Sequence, residues 1–422
     1  MKAQYRLTLV GMMAMIVGLG CNLPAYIRLV GTSVPQPSQQ PTASANAASQ
    51  LQIFETAWEA VRDQYVRADY NGVDWNAVGD QYRARISAGL SDDEFAQAMR
   101  DMLAELPQGQ ASYQTRAERL EADSADTSQY QGIGAFIAFR TEPEPHVVIL
   151  SVIEDSPAEQ AGLQPHDSIY AIDGESVRAD ESETVATRIR GPANTSVTVT
   201  VQSPGGRRRN LTIPRGQITA ADVLRGGEIP AAHVAYYRLP VVADPDMPQL
   251  IAQNLQELGA QSELKGVILD LRVSHAGGQG WPLGEMLTLF GDSALGEFYT
   301  RTTTETVTVE GQDLAGSQTV PLVILIGPDT QGSSEIFAGA LQGAKRAVLV
   351  GLPTPGDVEG FSEIPLSDGS RLFLATSSFR TLDGADLALS GLKPNVTVSD
   401  DWDQVSVDND PVLAAAVGLL TE

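Results

Sequence analysis

Basic residues, cysteine and histidine are the scarce components of this 422-residue chain, and each scarcity removes a class of function. Twenty-eight Lys and Arg stand against 53 Asp and Glu, a formal charge of −25 that repels nucleic acid and anionic lipid headgroups. Nucleic-acid binding is excluded on that ground. A single cysteine, Cys21, leaves no partner for an intrachain disulfide. The four histidines, His146, His166, His233 and His275, are too widely spaced for a zinc motif, so no metal site is expected and any catalysis should run without a metal or cofactor. Beyond the first 27 residues there is no long hydrophobic run, while 42% hydrophobic and 19% charged residues describe a soluble globular body. The length suggests about two or three domains.

The apolar run is at the N-terminus. Lys2 and Arg6 precede Leu7 to Leu19, and Gly20-Cys21 follows where a secretory signal is cut. The segment resembles a bacterial lipoprotein signal, with Gly18 where that pattern has a branched aliphatic residue. The resemblance implies a signal peptide over 1–20, lipidation of Cys21, and an extracytoplasmic protein attached to the membrane of a bacterial cell envelope only through its N-terminal lipid. An uncleaved anchor over Leu7 to Ile27, interrupted by Asn22 and Pro24, and plain secretion are the alternatives. Residues 21–50 then read as a tether, rich in Pro, Ser, Gln, Ala and Thr from Ser33 onward and too polar to bury a core.

Three bodies follow. Over 51–128 the spacing is helical: Phe54, Trp58, Val61 and Tyr65 share a face, as do Trp75, Val78, Tyr82 and Ile86, with Asp74 placed as an N-cap. Ser91 to Glu94 forms a capping box ahead of the stripe Phe95, Met99, Met102 and Leu106. Over 129–215 short strands alternate with turns. Gly132-Ile133-Gly134, Ser156-Pro157-Ala158 through Gly162-Leu163, and Ile172-Asp173-Gly174 resemble a bacterial PDZ domain. That resemblance implies capture of a peptide C-terminus, its carboxylate in the Gly132 to Gly134 loop. Pro204-Gly205-Gly206 before Arg207-Arg208-Arg209 reads as a hairpin with a charged tip. Over 216–422, the continuous apolar runs Val267 to Leu271, Leu322 to Ile326 and Ala347 to Val350 predict buried parallel strands alternating with helices.

The order of these bodies, with Asp74-Trp75, Ile268-Leu269-Asp270-Leu271-Arg272, Ser334-Glu335, Thr354, Gly356 and Gly391-Leu392-Lys393-Pro394, resembles the tail-specific, or C-terminal processing, serine peptidases. The resemblance implies a multidomain α/β protein: a helical unit, a PDZ β-rich domain and a crotonase-like ββα core, acting on peptides or proteins with free C-termini. In that family a serine attacks and a lysine is its base. Here the nucleophile position is Gly332 in Thr330-Gln331-Gly332-Ser333-Ser334-Glu335, the base position is Asp357, and the glutamine that orients the lysine maps to Phe361. Gln108-Gly109-Gln110 replaces the family's Asp-x-His. Oxyanion donors are expected around Gly277 and Gly278.

Glycine has no side chain to attack a carbonyl, and an aspartate takes a serine proton with far less driving force than a neutral amine. The resemblance therefore implies a peptide-binding protein without the family mechanism. Two alternatives remain: a rebuilt triad of Ser333, His275 and Asp357 giving an active serine endopeptidase, and an adaptor that docks through its PDZ domain alone.

Overall fold

The computed structural model describes residues 43–126, 131–218, 222–275, 280–406 and 408–421. The signal, Cys21 and the proposed anchor lie outside them. The chain from Ala43 onward forms one compact unit.

Helix α1 (Ala43–Gln64) starts eight residues inside the segment assigned to the tether. Two contacts explain the correction: Gln50 Nε2 donates to Leu90 O at 3.0 Å, and Ala47 is buried. Ala43, Ala45, Ala47 and Ala48 favour helix. Helix α2 (Trp75–Ser87) is capped by Asp74, which accepts from Ala77 N, and α3 (Asp92–Leu103) opens on the full Ser91/Glu94 capping box. The aromatic stripes face inward as their spacing requires, and the two indoles reciprocate: Trp58 Nε1 donates to Trp75 O, and Trp75 Nε1 to Trp58 O. Beyond the three expected helices come β1 (Ala111–Gln114) and α4 (Arg116–Asp126).

The PDZ segment contains β2 (Gln131–Gly132), β3 (Ala135–Arg140), β4 (His146–Val152), α5 (Pro157–Gln160), β5 (Ser168–Ile172), β6 (Glu175–Ser176), α6 (Ala186–Ile189), β7 (Ser196–Gln202), β8 (Arg209–Pro214) and β9 (Gly216–Gln217). Strands β3-β4-β5-β7-β8 form its sheet around Ile149, Ile169, Val197 and Val199. Pro157 occupies the first turn of α5 behind the Ser156 cap. The arginine-rich hairpin forms as expected between β7 and β8, and two of its three arginines are engaged locally, Arg208 lying over Tyr170 and Arg209 pairing with Asp167.

The remainder comprises β10 (Arg225–Ile229), β11 (Val234–Arg238), α7 (Met247–Gln261), β12 (Gly266–Asp270), α8 (Leu283–Phe290), β13 (Ser293–Thr300), β14 (Thr304–Val309), β15 (Leu322–Ile326), α9 (Ser333–Gly343), β16 (Ala347–Gly351), β17 (Gly360–Pro365), β18 (Arg371–Thr381), α10 (Leu387–Ser390), β19 (Val396–Thr397) and α11 (Pro411–Thr421). Its main sheet runs β10-β11-β12-β15-β16-β19, parallel from β11 to β19. Helices α7, α8 and α9 cover one face and α11 the other, so β12 and β15 are buried throughout and their sequences are continuously apolar.

A second sheet, β1-β18-β13-β14 with β17 beside β18, joins the first body to the last. Tyr113, Tyr299, Leu372 and Leu374 share a core with Phe54, Trp75 and Met99. The helical unit is therefore not a separate domain ending at residue 128, because β1 completes its hydrogen bonding only against β18.

Candidate functional site: the α9 crevice

Loops leaving the carboxyl ends of adjacent parallel strands converge where open α/β sheets bind ligands. After β15, Gly327 to Gln331 lead to Gly332, which caps α9 at φ 64°, ψ −128°. A side chain is strained in that region, and a sharp strand-to-helix turn holding such a residue is the way an exposed nucleophile is presented. The backbone of a nucleophile elbow is thus present with no side chain on it.

Polar contacts fix the turn. Thr330 Oγ1 donates to Leu271 O at 2.8 Å and accepts from Gly327 N at 2.9 Å, tying the loop to the end of β12. Gln331 N donates to Ser274 O at 3.2 Å, which brings Gln331 beside His275 in a parallel bridge. Ser274 and Ser334, both fully buried, share a hydroxyl hydrogen bond of 3.0 Å.

Glu335 organises the other wall. Buried on α9, it accepts from Gly356 N at 2.8 Å, Asp357 N at 2.7 Å and the Thr354 hydroxyl. Burial pushes its carboxyl up to about 7, although all three donors favour the charged form. Gly356, at φ +89°, approaches α10 so closely that a Cβ there would lie 2.6 Å from Leu387 O. Loop 354–357 therefore keeps its shape for reasons independent of the residue at 357.

The proposed substitutes do not assemble. No hydrogen bond or ion pair links Ser333, His275 and Asp357 to one another, and the Asp357 side chain is exposed. Ser334 faces inward to Ser274, so the helical turn that separates adjacent side chains by about 100° sends the two serines in different directions. Phe361 lies on β17, 44% exposed, opposite Ala375. Gly277 and Gly278 lie outside the described residues. Among the described residues no group of His, Cys, Asp and Glu side chains could hold a metal ion.

Two connections escaped the sequence reading. Arg140, at the end of β3 in the PDZ domain, donates through Nη1 to Asp329 at 3.2 Å, donates through Nη2 to the same carboxylate, and reaches Asp401 at 3.1 Å through Nε. Burial raises the Asp329 carboxyl despite the guanidinium. The same PDZ face is clamped by Trp402, whose indole donates to Ile149 O and stacks on His166 at 4.0 Å, and by Asp403 against His146 at 2.9 Å. Burial lowers His166, whereas His146, despite its burial, is raised by Asp403 and by the carbonyl of Glu144. The second connection joins Gln110 Nε2 to Glu359 at 2.8 Å, with Arg67 alongside. Gln110 stands in the altered Gln108-Gly109-Gln110 segment, and that departure from the family pattern was the available signal.

The PDZ loop is closely packed. Gly132 pairs with Gly216 between β2 and β9. A Cβ on Gly134 would fall 2.3 Å from Ser156 Cβ and 3.2 Å from Ile218 Cδ1, so only glycine fits.

Comparison with known proteins agrees with this architecture. Residues 233–398 match peptidase family S41, 47–104 the tricorn protease C1 domain and 148–203 a PDZ domain. The chain is 29% identical over 395 residues to a carboxyl-terminal-processing protease of Synechocystis sp. (strain ATCC 27184 / PCC 6803 / Kazusa), covering 90% of this chain and 89% of the relative. It is 25% identical over 392 residues to the carboxy-terminal processing protease CtpB of Bacillus subtilis (strain 168), covering 90% and 75%. Among solved structures, the photosystem II D1 C-terminal processing protease superposes with a TM-score of 0.63 at 24% identity, over 89% of this chain and 97% of that one. A sequence with these three matched segments in this order, folded in this way, belongs to the C-terminal processing peptidase family, with a PDZ domain ahead of its α/β peptidase core.

Proposed function

We propose that this protein is a peptide-binding pseudoprotease of the cell envelope, a family member that retains the groove and the C-terminus reader without the serine–lysine dyad. The observation that carries the reading is Gly332 at φ 64°, ψ −128°, the N-cap of α9. The turn is kept while the attacking atom is absent, and Asp357 holds the base position with its own N–H committed to Glu335. Neither group supplies the nucleophile or the amine that covalent acyl transfer needs. Extended peptides with free C-termini are the ligands that the PDZ loop at Gly132, Ile133 and Gly134 suits.

The test is incubation of the purified protein with unstructured proteins bearing free C-termini. No cleavage sensitive to serine-directed inhibitors is expected, together with binding of a free-carboxylate peptide and much weaker binding of its amide. Inhibitor-sensitive cleavage that disappears in Ser333→Ala or His275→Ala would replace the proposal with a rebuilt triad. Binding indifferent to the terminal carboxylate would replace it with an adaptor role. Attachment to the envelope through Cys21 predicts fatty-acid labelling that is lost in Cys21→Ala; unchanged labelling would remove that part.

A further inference from the structure

Strand β14 (Thr304–Val309) ends the second sheet and pairs with β13 only. Among the described residues its backbone makes no hydrogen bond outside that ladder. Natural edge strands are usually blunted by proline, lysine or a covering segment, because open N–H and C=O groups template another strand. The sequence Thr-Glu-Thr-Val-Thr-Val contains neither proline nor lysine, and its threonine and valine residues favour extended backbone. The register shift in this pair lies between Ala294 and Gly296, on β13.

An open groove of about 580 Å³ runs between the end of β14 and helices α7 and α8. That is within the range of ligand-binding clefts. Pro248, Ala252, Leu289 and Val309 give it an apolar wall, and Glu285 and Glu310 stand in it without an ion-pair partner among the described residues. No basic residue lines it. Arg301, in the turn joining β13 to β14, is turned away and held by Arg67 O and the Tyr70 hydroxyl.

We propose that this edge is a docking site for an extended, basic segment of a partner protein, which adds a strand to β14 and sets its cationic side chains against Glu285 and Glu310. Main-chain pairing supplies the attachment and the two carboxylates choose the charge of the incoming side chains. The site shares no residue with the PDZ loop or the α9 crevice and does not depend on the fate of catalysis.

The test uses the intact protein and a fluorescent peptide of alternating valine and lysine with both ends blocked, so that no terminal carboxylate engages the PDZ loop. Saturable binding is expected, weakened by salt and about fivefold weaker in the E285Q/E310Q double variant, as two exposed ion pairs allow. Both glutamates are exposed, so the variant should fold normally. N-methylation of alternate peptide amides should abolish binding for one set and spare it for the other, the signature of one-sided strand pairing. Equal affinity for the double variant would show only diffuse attraction to a chain of charge −25 and overturn the proposal. So would equal binding of the valine–glutamate analogue, or indifference to which amides are methylated.

Discussion

The Gln110 side-chain amide donates to Glu359 at 2.8 Å, fastening the first body of the chain to the strand that follows the Asp357 loop. Glu359 is buried there and burial raises its carboxyl, so it depends on Gln110 and Arg67 for its polar partners. Gln110→Ala removes a donor from a buried acceptor and should cost about 1 to 3 kcal/mol. Urea denaturation measures the loss. A change within error would mean that water serves Glu359 equally well.

The family dyad can be written back. The triple variant Gly332→Ser, Asp357→Lys, Phe361→Gln restores each lost position on an elbow and loop whose backbones are already shaped. It should acquire labelling by a fluorophosphonate, a reagent for activated serine, while Gly332→Ser alone should not. The serine will carry about 1 to 3 kcal/mol of backbone strain at φ 64°. A folded triple variant that remains unlabelled would show that the crevice has lost more than its side chains.

Glu335 gives stability a pH dependence of definite sign. Burial raises its folded-state carboxyl from about 4.5 to about 7, so the folded state holds more protons than the unfolded chain across that window. Its contribution is complete below about pH 4.5 and declines as the pH rises to about 7, by an amount on the order of 3 kcal/mol. Unfolding free energies measured between pH 4 and 8 should show this decline, flattened in Glu335→Gln. An identical slope in the variant would assign it to another group.

Arg140 and Asp329 form the charged link between the PDZ domain and the elbow loop. Arg140→Ala leaves a buried carboxylate without its cation and should destabilise by roughly 3 to 5 kcal/mol. Adding Asp329→Asn should recover part of that loss, since the uncompensated charge goes with it. Additive single effects in the double-mutant cycle would mean the two residues do not act as a pair.

The local signals in the sequence were good ones. Caps at Asp74 and Ser91, the Pro157 turn, the apolar runs of β12, β15 and β16 and the glycines of the PDZ loop all reflect short-range chemistry, which a linear reading reaches. The start of α1 was misplaced because its first turns are alanine-rich and polar, and what anchors them is a carbonyl at Leu90. The β1 pairing was invisible for a related reason: Ala111 finds Leu374, and four residues of ordinary composition do not declare a partner so distant. At the crevice, the substituted positions Gly332, Asp357 and Phe361 were legible as departures from a pattern. Whether Ser333 could stand in was a question of direction, and the buried Ser334–Ser274 pair sets the phase of that helical turn.

That pairing of β1 with β18 also bears on the order of folding. Residues 111–114 find their hydrogen-bonding partners at 371–374, far along the chain, so the early helices complete their strand and cover their apolar face only when those residues arrive. Closing so large a loop is slow, since its entropic cost precedes any reward from contacts. Until that loop closes, the helices carry an unpaired strand and an uncovered apolar face, the two features that make a folding intermediate prone to aggregate.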